Sequence, residues 1–118
     1  MLVRNKFPRR LSLKGRAEIQ RLLKEGRRET GEYFVCVWQK SDCFRWAVLL
    51  PGWLKGAVRR NRLKRLVRET LRIHRTELDR PVTVAVMLRR KLEELTFAQV
   101  ESDLGGLLQR VDRAAQRA

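Results

Sequence analysis

The residues best able to do chemistry here are cationic and fall in one run, Gly56-Ala57-Val58-Arg59-Arg60-Asn61-Arg62-Leu63-Lys64-Arg65-Leu66-Val67-Arg68-Glu69. Wound as a helix at about 100° per residue, the run puts Leu63, Leu66, Val67 and Leu71 on one apolar face. Asn61, Arg65, Arg68 and Arg72 form a stripe on the opposite face, flanked by Arg62 and Lys64. Arg60 projects near the apolar edge, so it reaches sideways. Glu69 is the one acid along the helix. Like charges at helical neighbour spacing weaken an isolated helix. A polyanionic partner accounts for a sequence that tolerates them. The chemistry on offer is neutralisation of phosphate by cations, with Asn61 placed to brace the helix start or to bond a base or sugar. Contacts of this kind to duplex RNA read backbone and shape, because its base edges lie in a deep, narrow groove.

Other reactive groups assemble into nothing comparable. His74 projects with Leu63 and Leu66, which makes it a core or boundary imidazole. Glu93 and Glu94 precede a helix and favour its positive end. Asp42 offers a metal ion one lone ligand. Cys36 and Cys43 are expected to be reduced and buried, and with a single histidine their spacing suggests no zinc site. No catalytic residue and no protein metal ligand is assigned.

Charge points the same way as the motif. The 118 residues carry 28 Lys and Arg against 13 Asp and Glu, for a net +15. Residues 55–75 hold nine bases and one acid, so they supply +8 of it. Such concentration describes a binding surface rather than a solubilising coat. Arginine outnumbers lysine by 21 to 7, and its planar fork suits phosphate and stacks on bases. Nucleic acid is the leading partner class. No apolar run of about 18 residues is present for a membrane span, and no apolar segment follows the basic start as in a signal peptide. The cytoplasm is the expected location.

The elements that must hold the basic helix follow from pattern. The length fits one domain over 1–118, with a basic arm at 1–10 and a frayed tail at 114–118. Gly15 to Glu25 is helical, with Ile19, Leu22 and Leu23 on one face, and Gly26 is placed as a left-handed cap. Residues 27–32 read as a polar loop. Residues 33–38 and 43–50 read as two strands of an antiparallel hairpin, with a further short strand left open. Tyr33, Val35 and Val37 share one face of the first strand; Phe34, Cys36 and Trp38 share the other. The apolar run 82–88 is a third strand, central because it is buried on both faces. Thr96 and Gln99 form a capping box for a last helix whose buried stripe is Phe97, Val100, Leu104, Leu107, Leu108 and Val111. Gly105-Gly106 in mid-helix is read as close packing against the sheet. The order helix, hairpin, helix, strand, helix is an α+β architecture of a small sheet with helices.

Arg60-Asn61-Arg62, Lys64-Arg65 and Arg68-Glu69, entered through Gly56-Ala57-Val58, resemble the RNR motif of the bacterial ribonuclease P protein family. The order of elements is similar over roughly residues 10–111. The resemblance implies a fold like the second domain of a small-subunit ribosomal protein, with a left-handed βαβ crossover where chain rules alone expect a right-handed one. It implies that Arg60, Asn61, Arg62, Lys64, Arg65 and Arg68 meet the catalytic RNA subunit. It further implies that a cleft between the first helix and the sheet grips the single-stranded 5′ leader of precursor tRNA. In the family, aromatic residues commonly line that cleft; the matching positions here are Ile19, Leu23 and Val37, with Tyr33 or Trp38 as candidate replacements. The family's Ser-Lys-Lys before the basic helix reads Pro51-Gly52-Trp53 here, and Trp53 is either a packing anchor or a base-stacking platform. The implied activity is endonucleolytic removal of the leader, with the hydrolysis performed by the RNA subunit and its Mg2+ ions. No protein partner is implied. A structural ribosomal or other RNA-binding protein without a linked reaction is the alternative. A DNA-binding helix-turn-helix protein fits less well, because strand residues rather than a short helix precede the basic helix.

Overall fold

The apolar runs become strands and the amphipathic runs helices in the order α1 (Arg16–Glu25), β1 (Arg27–Thr30), β2 (Phe34–Lys40), β3 (Arg45–Leu49), α2 (Ala57–His74), a 3-10 turn (Arg75–Glu77), β4 (Val82–Leu88) and α3 (Phe97–Arg117). The computed structural model describes residues 12–13, 15–90 and 95–117; the basic arm at 1–10 and the Glu93-Glu94 pair lie outside them. The four strands form one mixed sheet in the order β1-β2-β4-β3. β4 runs antiparallel to β2 and parallel to β3, so α2 is the connection between two adjacent parallel strands.

Strand alternation splits the interior into two clusters, one on each face of the sheet. Phe34, Cys36, Trp38, Val82, Val84 and Val86 face α2 and α3. Val37, Ala47 and Ala85 lie on the other face with Leu13 and Leu22, and Ile19, Leu23, Val35, Leu49 and Met87 pack around them half-buried. β4 is buried on both faces and is one of the two inner strands with β2, as its near-continuous apolar run predicts.

The expected hairpin of residues 33–38 and 43–50 does not form. β4 inserts between those two segments, and β3 takes the sheet edge. Of β3 only Ala47 is fully buried, whereas β4 buries Val82, Val84, Ala85 and Val86. The more apolar strand takes the position with neighbours on both sides. The link from β2 to β3 steps across it, with Ser41 N–H donating to Pro81 O at 3.2 Å. The true hairpin is β1–β2, because residues 27–30, expected in a loop, pair with β2 from Arg27 opposite Trp38 to Thr30 opposite Val35. Asp103 of α3 secures its turn by accepting from the backbone N–H of Glu32, Tyr33 and Phe34 at 2.7, 2.9 and 3.0 Å. That grip takes Tyr33 out of the strand alternation, so Tyr33 packs with the α2/α3 cluster instead of sharing a face with Val37.

Other local expectations need correction. Gly26 has φ −74° and ψ 162°, which is extended rather than left-handed. It is glycine for space: a Cβ there would sit 2.6 Å from Leu22 O and 2.8 Å from Val37 Cγ1. Cys36 is buried and its thiol is pushed well above its usual range, chiefly by that burial, whereas Cys43 is exposed. The capping box forms, with Gln99 N–H donating to Thr96 Oγ1 at 3.2 Å and Thr96 N–H to Gln99 Oε1 at 2.9 Å. Phe97, in the first turn of α3, is exposed rather than part of the stripe. The tail does not fray after Arg113: α3 continues to Arg117 with Ala114 and Ala115 buried. Gln116 Nε2 donates to Asp79 Oδ2 and Asp112 Oδ2 at 2.9 and 3.0 Å, tying the helix end to the approach of β4.

The mid-helix glycines differ in purpose. A Cβ on Gly105 would lie 2.8 Å from His74 Nε2, so Gly105 makes room for α2, not for the sheet. His74 is the boundary imidazole expected, with Nδ1 3.0 Å from Glu77 Oε1 and Nε2 3.2 Å from Glu101 Oε1. A Cβ on Gly106 meets nothing within 4 Å. Gly106→Ala should therefore raise unfolding free energy by about 0.5–1 kcal/mol through helix propensity. Gly105→Ala should lower it by about 1–2 kcal/mol, because the packing clash exceeds that gain. Urea unfolding of both variants checks the contrast, and equal effects would contradict it.

Candidate nucleic-acid interface

The basic helix needs an anchor because its own charges oppose it. Leu63, Val67, Thr70 and Leu71 are buried and Leu66 half-buried, so the apolar stripe does face the core. Thr70 satisfies its buried hydroxyl by donating to Leu66 O at 3.0 Å. At its start the helix lacks a side-chain cap and has no acid in the first turn. Gly56, with φ +90°, makes the left-handed turn of the backbone into it.

The Arg-Asn-Arg triplet is divided in its duties. Arg60 is half-buried, and its Nη1 donates to Pro51 O at 2.9 Å and to Leu54 O at 2.8 Å. Its sideways reach thus ends on the loop that precedes the helix. Arg62 Nη1 donates to Leu95 O at 2.9 Å, linking α2 to the segment before α3, while the residue as a whole stays exposed. Asn61 between them is exposed.

The outward face is more uniform. Asn61, Lys64, Arg65 and Arg68 are exposed, and none of the three cations forms an ion pair with a described residue. Arg72, expected to extend the stripe, is instead half-buried and paired with Glu69 one turn back. The Arg72 hydrogen bond holds the Glu69 carboxyl below its usual range, and Glu69 raises Arg72 in return. The stripe therefore ends at Arg68. From Cys43 through Arg68 the chain holds eight Lys and Arg and no acid. Such a surface attracts phosphate and repels cations.

The residues of the second expected site lie on the opposite sheet face. Ile19 and Leu23 of α1 are half-buried there beside Val35, Leu49 and Met87. Val37 is 0 % exposed beneath them, so it forms the floor and cannot itself touch a ligand. Tyr33 and Trp38 do not replace the missing aromatics, because both pack with the α2/α3 cluster. The guanidinium of Arg27 lies 5.8 Å from the buried Trp38 ring and that of Arg90 5.6 Å from the Tyr33 ring. Arg27 and Arg28, read from sequence as loop, stand exposed on the edge strand β1 and add positive charge. Nothing local marks them as strand, since a four-residue polar edge carries no apolar alternation. Among the described residues no three His, Cys, Asp or Glu side chains form a group able to hold a metal ion. No helix among them is long and apolar enough to cross a membrane.

Known proteins share both the sequence and this fold. The Ribonuclease P family model matches residues 7–112. The ribonuclease P protein component of Thermotoga maritima is 33 % identical over 112 residues, covering 90 % of this chain and 96 % of that one. That of Desulforapulum autotrophicum is 27 % identical over 110 residues, covering 92 % and 94 %. The solved structure of the Thermotoga maritima protein superposes with a TM-score of 0.75 at 32 % identity, over 84 % of this chain and 96 % of that one. The Staphylococcus aureus RNase P protein gives 0.77 at 26 % identity, over 86 % and 94 %. Agreement of sequence and fold across nearly the full length makes this chain a member of the ribonuclease P protein component family.

Proposed function

We propose that this chain is the protein subunit of a bacterial ribonuclease P, which binds the catalytic RNA subunit and precursor tRNA and assists removal of the 5′ leader. The observation that carries the reading is the exposed face of α2, where Asn61, Lys64, Arg65 and Arg68 stand together on a member of this family. Phosphates of the RNA subunit lie along that face. Arg60 and Arg62 contribute with the guanidinium nitrogens not spent on Pro51, Leu54 and Leu95. The leader of the precursor lies across α1 and the adjoining sheet, touching Ile19 and Leu23 above the floor made by Val37.

In this reading the RNA subunit performs the phosphodiester hydrolysis and holds the Mg2+ ions. The protein lowers the repulsion between two crowded RNA backbones, and that lets RNA and substrate associate at lower magnesium. The work is cytoplasmic, where precursor tRNA is made.

Cleavage of a precursor tRNA by a bacterial catalytic RNA at low magnesium should rise when this protein is added, at the mature 5′ end. Tight RNA binding with no stimulation, repeated with the RNA from the same source, would favour a purely structural RNA-binding protein. Arg65→Ala combined with Arg68→Ala should weaken binding to the RNA subunit and flatten its log–log salt dependence by roughly 0.7–0.9 per lost phosphate contact. An unchanged slope would remove this face from the interface. Ile19→Phe with Leu23→Phe should tighten binding to leader-bearing precursor relative to mature tRNA by several-fold, since base stacking is worth about 1–3 kcal/mol. An unaltered ratio of the two affinities would mean that the leader does not lie on this cleft.

A further inference from the structure

The turn that leads into α2 carries an aromatic side chain that the core does not use. Leu54 is buried in the α2/α3 cluster and anchors the turn. Its N–H donates to Pro51 O at 3.2 Å, which makes Gly52 and Trp53 the two central residues. Arg60 binds the carbonyls at both ends of this turn, Pro51 O and Leu54 O, and so ties it to the first turn of α2. The packing role open to Trp53 from sequence is filled by its neighbour. Trp53 itself is 38 % exposed, the most exposed aromatic side chain among the described residues. Gly52 beside it meets no other atom within 4 Å of a Cβ position, so the approach is open.

The surroundings select the kind of ligand. Trp53 sits within the acid-free stretch from Cys43 to Arg68, with Lys55 exposed two residues on. An apolar protein partner is poorly served by so much positive charge, and an acidic peptide offers nothing flat for an indole. Nucleic acid supplies both an anion and a planar ring. A base inside a duplex has its faces covered by its neighbours; an unpaired base does not. The turn is braced before any ligand arrives, so little ordering is needed on contact. From these features we infer that Trp53 is a stacking platform for an unpaired RNA base next to the helical segment whose phosphates lie along α2. This rests on the RNA-binding reading above and adds to it a contact that distinguishes a single-stranded junction from continuous duplex. Arg60 is then a positioning residue for the platform as well as a neighbour of phosphate.

The test uses two RNA duplexes of equal phosphate number, one blunt and one with a single-stranded overhang. Wild-type protein, Trp53→Leu and Trp53→Phe are titrated with each at several salt concentrations, after circular dichroism has established equal folding. Trp53→Leu should bind the overhang duplex roughly 5- to 100-fold more weakly, with its salt slope and its affinity for the blunt duplex unchanged. Trp53→Phe should recover most of the loss. The overhang duplex should also quench tryptophan emission more in wild type than in Trp53→Phe, whose remaining indoles are the buried Trp38 and the half-buried Trp46. Equal affinity of wild type and Trp53→Leu for the overhang duplex, or equal losses on both duplexes, would overturn the stacking role and leave the basic face of α2 intact as an RNA site. Polyglutamate that binds Trp53→Leu several-fold more weakly than wild type would also overturn it, in favour of an acidic peptide partner, since charge attraction alone leaves that pair equal. Failure of wild type to bind either duplex would instead bring down the RNA-binding reading itself.

Discussion

Everything in this protein depends on holding a self-repelling helix in place. Within α2, Arg59–Arg62, Arg60–Lys64, Arg62–Arg65, Lys64–Arg68, Arg65–Arg68 and Arg68–Arg72 are six like-charge pairs at helical neighbour spacing. At about 0.2–0.5 kcal/mol each they oppose the helix by roughly 1–3 kcal/mol. Against this stand the buried side chains of Leu63, Val67 and Leu71, each worth about 1.5–3 kcal/mol. Burial wins by a few kcal/mol, and only because α3 and the sheet supply a surface to bury against. The helix is thus a borrowed structure: without the fold the charges would disperse, and without the charges there would be no reason to build the fold around it.

The sheet lets one small chain keep two surfaces apart. Period-two alternation sends Phe34, Cys36 and Trp38 toward α2 and α3, and Val35 and Val37 toward α1. The α2/α3 side holds the larger buried cluster and serves as foundation for the cationic face. Among the described residues the α1 side is covered by one short helix with Leu13, and Ile19, Leu23, Val35, Leu49 and Met87 are half-buried around Val37. The charged face of α2 and the half-buried apolar residues beside α1 therefore belong to opposite sides of the same four strands.

The arginines of the Arg-Asn-Arg triplet show how a binding motif can also be structural. Each spends one guanidinium nitrogen on backbone carbonyls outside the helix, Arg60 on the turn before it and Arg62 on the segment before α3. Lysine, with a single ammonium on a flexible stem, could not brace a loop and present a planar fork together. The Arg60 bonds also fix the turn that displays Trp53. Arg60 and Arg62 are therefore part of the architecture, whereas the described residues give Lys64, Arg65 and Arg68 no such structural bond.

What the sequence determined by itself was local. Helical period and charge placed the cationic stripe and its apolar back, the continuous apolar run of 82–88 marked the central strand, and Thr96 with Gln99 marked the start of α3, because each signal lies within a few residues of chain. The family likeness was legible for the same reason, in one contiguous motif. Only the tertiary structure decided the rest. β4 displaced β3 from β2 because strand order follows from competition for burial between segments far apart in sequence. Residues 27–30 became a strand because β2 offered its edge, and because Asp103, 71 residues from Glu32, holds the turn between them. Gly105 was required by His74 on another helix, and Arg62 found its carbonyl 33 residues away. Long-range hydrogen bonds and close approaches leave no trace in local pattern, since either partner alone is an ordinary residue until the fold brings the other within reach.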